Sequence, residues 1–144
     1  MRLSKYFTIE EFVTSQTAAR LGIDNTPPEQ AIENMQELCL HILDPLREAL
    51  KKPIIISSGY RSPELNQAIG GSPTSQHCLG LAADIIVPQL HPEEVFNMVV
   101  ESDLPYDQVI EEFGQWTHLS YATVPRKQNL LARRENGKIN YFKA

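Results

Sequence analysis

The sequence predicts an α+β fold in a single domain, with N-terminal helices packed on a mainly antiparallel sheet. Three observations predict it. Helix-period apolar patterning fills the first third of the chain, strand-like runs dominate the remainder, and two pairs of those runs are joined by hairpin signals. A length of 144 residues suits one core. Hydrophobic residues at 42% and charged residues at 22% describe a folded chain, not a disordered one. The chain divides into a helical part (1–50), a central core (53–124) and a C-terminal hairpin (128–142).

Each element has its own reason. Thr8-Ile-Glu-Glu11 has the spacing of a capping box and predicts a short helix from Ile9 to Thr14. Asp24 to Pro28 is a turn, because Pro27 and Pro28 block a helix entering from the left. From Glu29 to Leu50, Ile32, Met35, Leu38, Cys39, Ile42, Leu43 and Leu46 recur at three- and four-residue spacing and form one apolar stripe. Pro45 breaks or kinks that helix and leaves a short second helix through Leu50. Pro53 to Ile56 is continuously apolar and β-branched, which predicts a buried strand.

Ser62-Pro63 opens the next helix, with Ser62 at the N-cap and Pro63 in the first turn. Gly70 to Thr74 is an irregular loop, and Leu81 to Val87 is a strand. The segment from His91 to Ser102 is a helix with acids in its first turn. Gln108–Phe113 and Trp116–Tyr121 form one hairpin, and Asn136-Gly137 turns a second between Asn129–Arg134 and Lys138–Phe142.

Composition narrows the function classes. A net charge of -5 argues against nucleic acid, whose phosphates want a basic footprint. No window approaches the ~20 apolar residues of a membrane span. The N-terminus lacks the features of a signal peptide, so the chain is expected to be made in the cytoplasm. Cys39 and Cys78 are expected as two buried free thiols. We expect a monomer.

The chemistry concentrates in Ser75-Gln-His77-Cys-Leu-Gly80-Leu-Ala82-Ala-Asp84 and in Trp116-Thr-His118-Leu-Ser120. Two imidazoles and a carboxylate are a donor set that a catalytic zinc uses, with a fourth position free. His77 precedes the strand that carries Asp84, Gly80 allows the bend between them, and His118 lies on another strand. Asp84 sits among Ala82, Ala83, Ile85 and Ile86, where a carboxylate is costly to bury without a positive partner. Zn²⁺ or Arg61 fits that requirement.

These motifs resemble the zinc D-alanyl-D-alanine carboxypeptidase family. That family includes cell-wall carboxypeptidases, phage endolysin peptidases and vancomycin-resistance dipeptidases, and shares its metal site and fold core with the hedgehog signalling domain. Ser58-Gly-Tyr-Arg61-Ser62 matches as well, and Leu3 to Phe7 and Glu10 to Gln16 resemble phage and prophage members. The likeness runs to about Val124. It implies His77, Asp84 and His118 as zinc ligands, and Arg61 as the group that polarises a scissile carbonyl or holds a substrate carboxylate. A guanidinium suits either task, being always charged and planar.

Ser75 either hydrogen-bonds substrate or caps its own loop. Trp116 either lines the groove or anchors the hairpin by packing, and Tyr60 is a third candidate contact with substrate. Several relatives place the general base three residues before the last histidine, where this chain has Gln115. The phage-like pattern uses an acid six residues before it, which selects Glu112. A two-residue loop at Gly114-Gln115 would put Glu111 opposite His118, and a three-residue loop from Gly114 to Trp116 would put Glu112 there.

The resemblance implies a zinc peptidase acting on peptidoglycan stem peptides, as a carboxypeptidase or an endopeptidase. It fits a phage or prophage lysis enzyme that reaches the wall through a partner pore protein. The hedgehog likeness implies an alternative: a non-catalytic, zinc-stabilised module that binds the wall or a partner.

Overall fold

A computed structural model describes residues 1–144. The helices α1 (Ile9–Val13), α2 (Gln16–Leu21), α3 (Glu29–Leu38) and α4 (Asp44–Leu50) come first. They are followed by β1 (Ile55–Ser58), α5 (Pro63–Ala68), β2 (Ala82–Ile86), α6 (Pro92–Val100), β3 (Tyr106–Glu112), β4 (Trp116–Tyr121), β5 (Gln128–Glu135) and β6 (Lys138–Lys143). The fold is α+β, with one six-stranded sheet in the order β1-β2-β4-β3-β5-β6. All neighbours pair antiparallel except β3 and β5, which run parallel.

The sheet has two unlike faces because side chains alternate along each strand. Ala83, Ile85, Val109 and Leu119 point into the core, where Met35, Leu38, Ile42, Leu43 and Leu46 meet Val95, Phe96 and Val99 of α6. The opposite face carries Asp84, His118, Ile110 and Glu112, as the strand pairing requires. The apolar stripe is therefore scaffold, and it braces the sheet from behind.

The long helix breaks where Pro45 requires it. Cys39–Leu43 forms a π-helical turn between α3 and α4, in which the Asp44 N–H bonds to the Cys39 carbonyl. The wider turn relieves the clash that a proline ring makes with the carbonyl four residues back. Ser62 caps α5 through its hydroxyl, which accepts from the Leu65 N–H at 3.1 Å, and Pro63 lies in the first turn. His91 caps α6 through its ring, and Glu94 completes the capping box. Asn136 (φ 51°) and Gly137 (φ 76°) are both left-handed, the backbone that a tight hairpin turn needs.

Three expectations need correction, and one helix was not anticipated. The Thr8 hydroxyl makes no cap bond to α1; Thr8 instead bridges to Arg2. The helix α2 went unanticipated, although Ser15 accepts from the Ala18 N–H and Gly22 ends the helix at φ 67°. The first strand is not buried: it spans Ile55–Ser58, pairs only with β2, and leaves Ile55 50% exposed. An apolar run does not say whether its strand is central or at an edge. The two thiols also differ. Cys39 is buried, and burial pushes its thiol up to about 12, whereas Cys78 is only half-buried.

Gly80 ends the turn that carries His77. Its φ is 76°, and a Cβ there would lie 2.4 Å from the Ala31 carbonyl oxygen of α3. Gly80→Ala should therefore cost about 3 kcal/mol from backbone strain and the displaced helix. Thermal melting should show a drop of roughly 10 °C for a chain of this size.

Candidate metal centre

Three elements meet at the site. A 3₁₀ turn, Gln76–Leu79, holds His77; β2 holds Asp84; β4 holds His118. Asp84 and His118 are direct cross-strand partners, so the sheet itself sets their approach. His118 Nδ1 lies 2.9 Å from Asp84 Oδ1, and His77 Nε2 lies 3.3 Å from the same oxygen. The two imidazole rings are 5.1 Å apart between centroids. One donor atom from each residue falls within 4.8 Å of the others, a group able to hold a metal ion. Exposures of 2%, 6% and 8% for His77, Asp84 and His118 place the group in the interior.

The chain orients these rings. The Gly59 carbonyl accepts from His77 Nδ1 at 2.7 Å. That bond fixes the proton on Nδ1 and leaves the Nε2 lone pair facing Asp84 and His118, as a ligand ring needs. Gly59 has no room for a side chain, since a Cβ would lie 2.7 Å from the Phe12 carbonyl oxygen. Contact with α1 thus seats the carbonyl that aims His77.

The charges fit a cation. Burial lowers the pKa of His77. Burial also opposes charging His118, but its bond to Asp84 and the charges of Asp84 and Glu112 outweigh this and raise its pKa. Burial would raise Asp84 too, yet the two histidines hold its carboxyl well below the usual range. Arg61 does not pair with Asp84; its Nη1 donates to Asn66 Oδ1 at 3.0 Å. A buried carboxylate with two neutral-capable imidazoles and no arginine on it is a donor set that suits a divalent ion.

Glu112 stands beside this group on the same face of the sheet. Trp116 pairs with it across the hairpin, and the indole N–H donates to Glu112 Oε1. Burial first, and then the Asp84 charge, raise the Glu112 carboxyl above the usual range. Neither anticipated hairpin register is the observed one. The loop is Phe113-Gly114-Gln115, Glu112 faces Trp116, and Ile110 faces His118. Phe113 has φ 59°, a left-handed backbone that its residue type does not announce. Glu111 points to the other face, where Arg133 grips it at 2.7 and 3.1 Å.

A cleft of about 780 Å³ covers the site and is lined by His77, Asp84, His118, Glu112, Arg61 and Trp116 among others. Ser75 lines it as well and caps the 3₁₀ turn, its hydroxyl accepting from the His77 N–H at 3.2 Å. Arg61 is half-buried in the cleft wall, and its buried Nε has no partner. Tyr60 is not brought to the cleft: it is 4% exposed and packs in the core.

Sequence reasoning missed Asp107. This buried acid accepts from the Arg126 N–H, Nε and Nη2 at 2.7–3.0 Å, and from Gln76 Nε2 at 3.1 Å. It ties the β4–β5 crossover to the turn that carries His77. The apolar context of Tyr106 and Val109 was the available signal, as it was for Asp84. Asn25 was missed too; it bonds the Val13 and Tyr60 carbonyls and the Ser62 N–H, fastening the loop that bears Arg61.

Two imidazoles and a carboxylate buried on the floor of an open cleft, with a separate acid beside them, define a candidate metallohydrolase. Residues 5–120 match the family profile described as Peptidase M15, and the chain belongs to that family. It is accordingly a metallopeptidase, and its histidine–aspartate–histidine group is able to bind the metal that such peptidases require. No curated protein matches the chain. No helix is long and apolar enough to cross a membrane.

Proposed function

We propose that the chain is a zinc peptidase that hydrolyses peptide bonds in the stem peptides of bacterial peptidoglycan. The observation that carries this reading is the buried His77–Asp84–His118 group with Glu112 beside it in one cleft. Two nitrogens and one oxygen suit zinc. Peptidoglycan is supported by the likeness of Ser75–Asp84 and of the N-terminal segment to wall-cleaving relatives, including phage and prophage members. On this reading the enzyme acts at the cell wall, as a lysis enzyme released by a pore protein.

When bound, the ion supplies Lewis acidity, which makes water a nucleophile at neutral pH. The remaining work belongs to side chains. Glu112 takes the proton of the attacking water and returns it to the departing amine. Trp116 holds the Glu112 carboxylate through its indole N–H. Arg61, with donors left over from its bond to Asn66, stabilises the charge that develops on the carbonyl oxygen. The Gly59 carbonyl and Asp107 keep the His77 turn in place.

Incubation with purified peptidoglycan tests the reading. New free amines should appear with metal present and vanish with a chelator. Retention of the protein on the wall with no new amines would instead identify a zinc-stabilised binding module.

A further inference from the structure

The hairpin formed by β5 and β6 lies beyond residues 5–120, the part that defines the family. It nevertheless lines the cleft over the metal group, through Leu130, Arg134, Ile139 and Tyr141. The sheet register explains how. Trp116, Glu112, Ala132 and Tyr141 form one cross-strand row over four neighbouring strands. All four share the face that carries Asp84 and His118. Ala132 is small and fully buried, which brings the larger groups on either side of it, Glu112 and Tyr141, over the same ground.

Arg134 sits two positions beyond Ala132, on the same face. Its guanidinium lies over the Phe113 ring at 4.4 Å, and no acid holds it. The neighbouring arginines are already engaged: Arg126 grips Asp107, and Arg133 grips Glu111. Tyr141 is 55% exposed, and its hydroxyl makes no hydrogen bond within the chain. Burial and the charges of Glu112 and Asp84 raise the pKa of its phenol, so it stays a neutral donor near those acids.

We propose that Arg134 and Tyr141 form a substrate subsite for a carboxylate, so that the enzyme prefers peptides bearing an acidic residue on the hairpin side of the cleaved bond. The subsite rests on the peptidase reading and deepens it. A free guanidinium fork and an unpaired phenolic donor match one carboxylate. Arg61 stands at the opposite, β1 side of the cleft, with the metal group and Glu112 between the two cations. From the middle of the β2–β4 pair to β5 is two and a half strand spacings, about 12 Å, and Arg134 lies four residues, about 13 Å, along β5 from Leu130, which shares the His118 row through Ile110, so the two are about 18 Å apart. The arginine side chain spans about a third of that, which leaves the carboxylate about three to four residues from the scissile bond.

The test uses the full metal-loaded chain and two pairs of peptides. In each pair the members differ only in glutamate or glutamine at the third and fourth residues to one side or the other of the cleaved bond. Wild type should favour glutamate about tenfold in one pair only, through KM. Arg134→Gln should bring the glutamate peptide down to the glutamine level, and Tyr141→Phe should lower the preference a few-fold. Arg134→Lys should restore part of it. Metal content of each variant should match wild type. Calorimetry with the same peptides separates the two ideas. Tighter binding of the glutamate peptide without any cleavage would keep the subsite and overturn the hydrolase. Equal binding of both peptides overturns the subsite, whatever the turnover.

Discussion

Replacing Glu112 by glutamine is expected to reduce peptide hydrolysis by roughly 10²–10⁴-fold, the usual contribution of a positioned general base. Metal content should not change, because Glu112 is not one of the three grouped donors. Glutamine keeps the length of the side chain and still accepts from the Trp116 indole, so packing against the hairpin survives. What is lost is the capacity to take a proton. The same group should set the acid side of the pH profile. Burial and the Asp84 charge raise the Glu112 carboxyl above its ordinary value. A base must be ionised to act, so wild-type turnover should fall as pH drops through that raised value. Glu111→Gln is the comparison: that carboxylate serves Arg133 on the opposite face, so its loss should lower stability far more than turnover. Full activity in Glu112→Gln with metal in place would remove Glu112 from the reaction.

The two glutamates also show how far the sequence could be read. Side chains alternate along a strand, so any register with the parity of the observed one puts Glu112 on the His118 face. The three-residue loop anticipated from Gly114 has that parity and the two-residue loop does not, which is why the side of Glu112 was readable although its partner was not. The partner depended on Phe113 adopting positive φ, and a phenylalanine gives no sign of that. Asn136-Gly137 is the contrary case: both residue types tolerate positive φ, and that turn was legible.

Long-range placement was legible only where chemistry demanded it. The buried context of Asp84 pointed to a positive partner, and the structure brings His77 and His118 to it. The parallel pairing of β3 with β5 left no local signal, because the chain must first cross between them, held by Arg126 on Asp107. The cleft wall built by β5 and β6 was hidden for the same reason. The edge position of β1 follows from what pairs beside it, which no run of isoleucines records.

Loss of the metal group should have the second large effect, and two substitutions separate its parts. Asp84→Asn is nearly isosteric and keeps a hydrogen-bonding group against both histidines, so the fold should persist. It removes the one negative donor, however, and the metal should be lost on gel filtration. His118→Ala also removes a donor, but it strips Asp84 of its 2.9 Å partner inside the protein. A buried charge deprived of its partner costs about 3–5 kcal/mol, and His77, left at 3.3 Å, offsets part of that, so this variant should melt below Asp84→Asn while holding equally little metal. Wild type should carry one ion per chain by elemental analysis. Its melting temperature should rise with added zinc, by the equivalent of about 2.7 kcal/mol at a hundredfold excess over the dissociation constant. Both variants should lose that response together with hydrolysis. One ion per chain in either variant would show that the ion sits elsewhere, and the roles given to Glu112 and Arg61 would lose their footing with it.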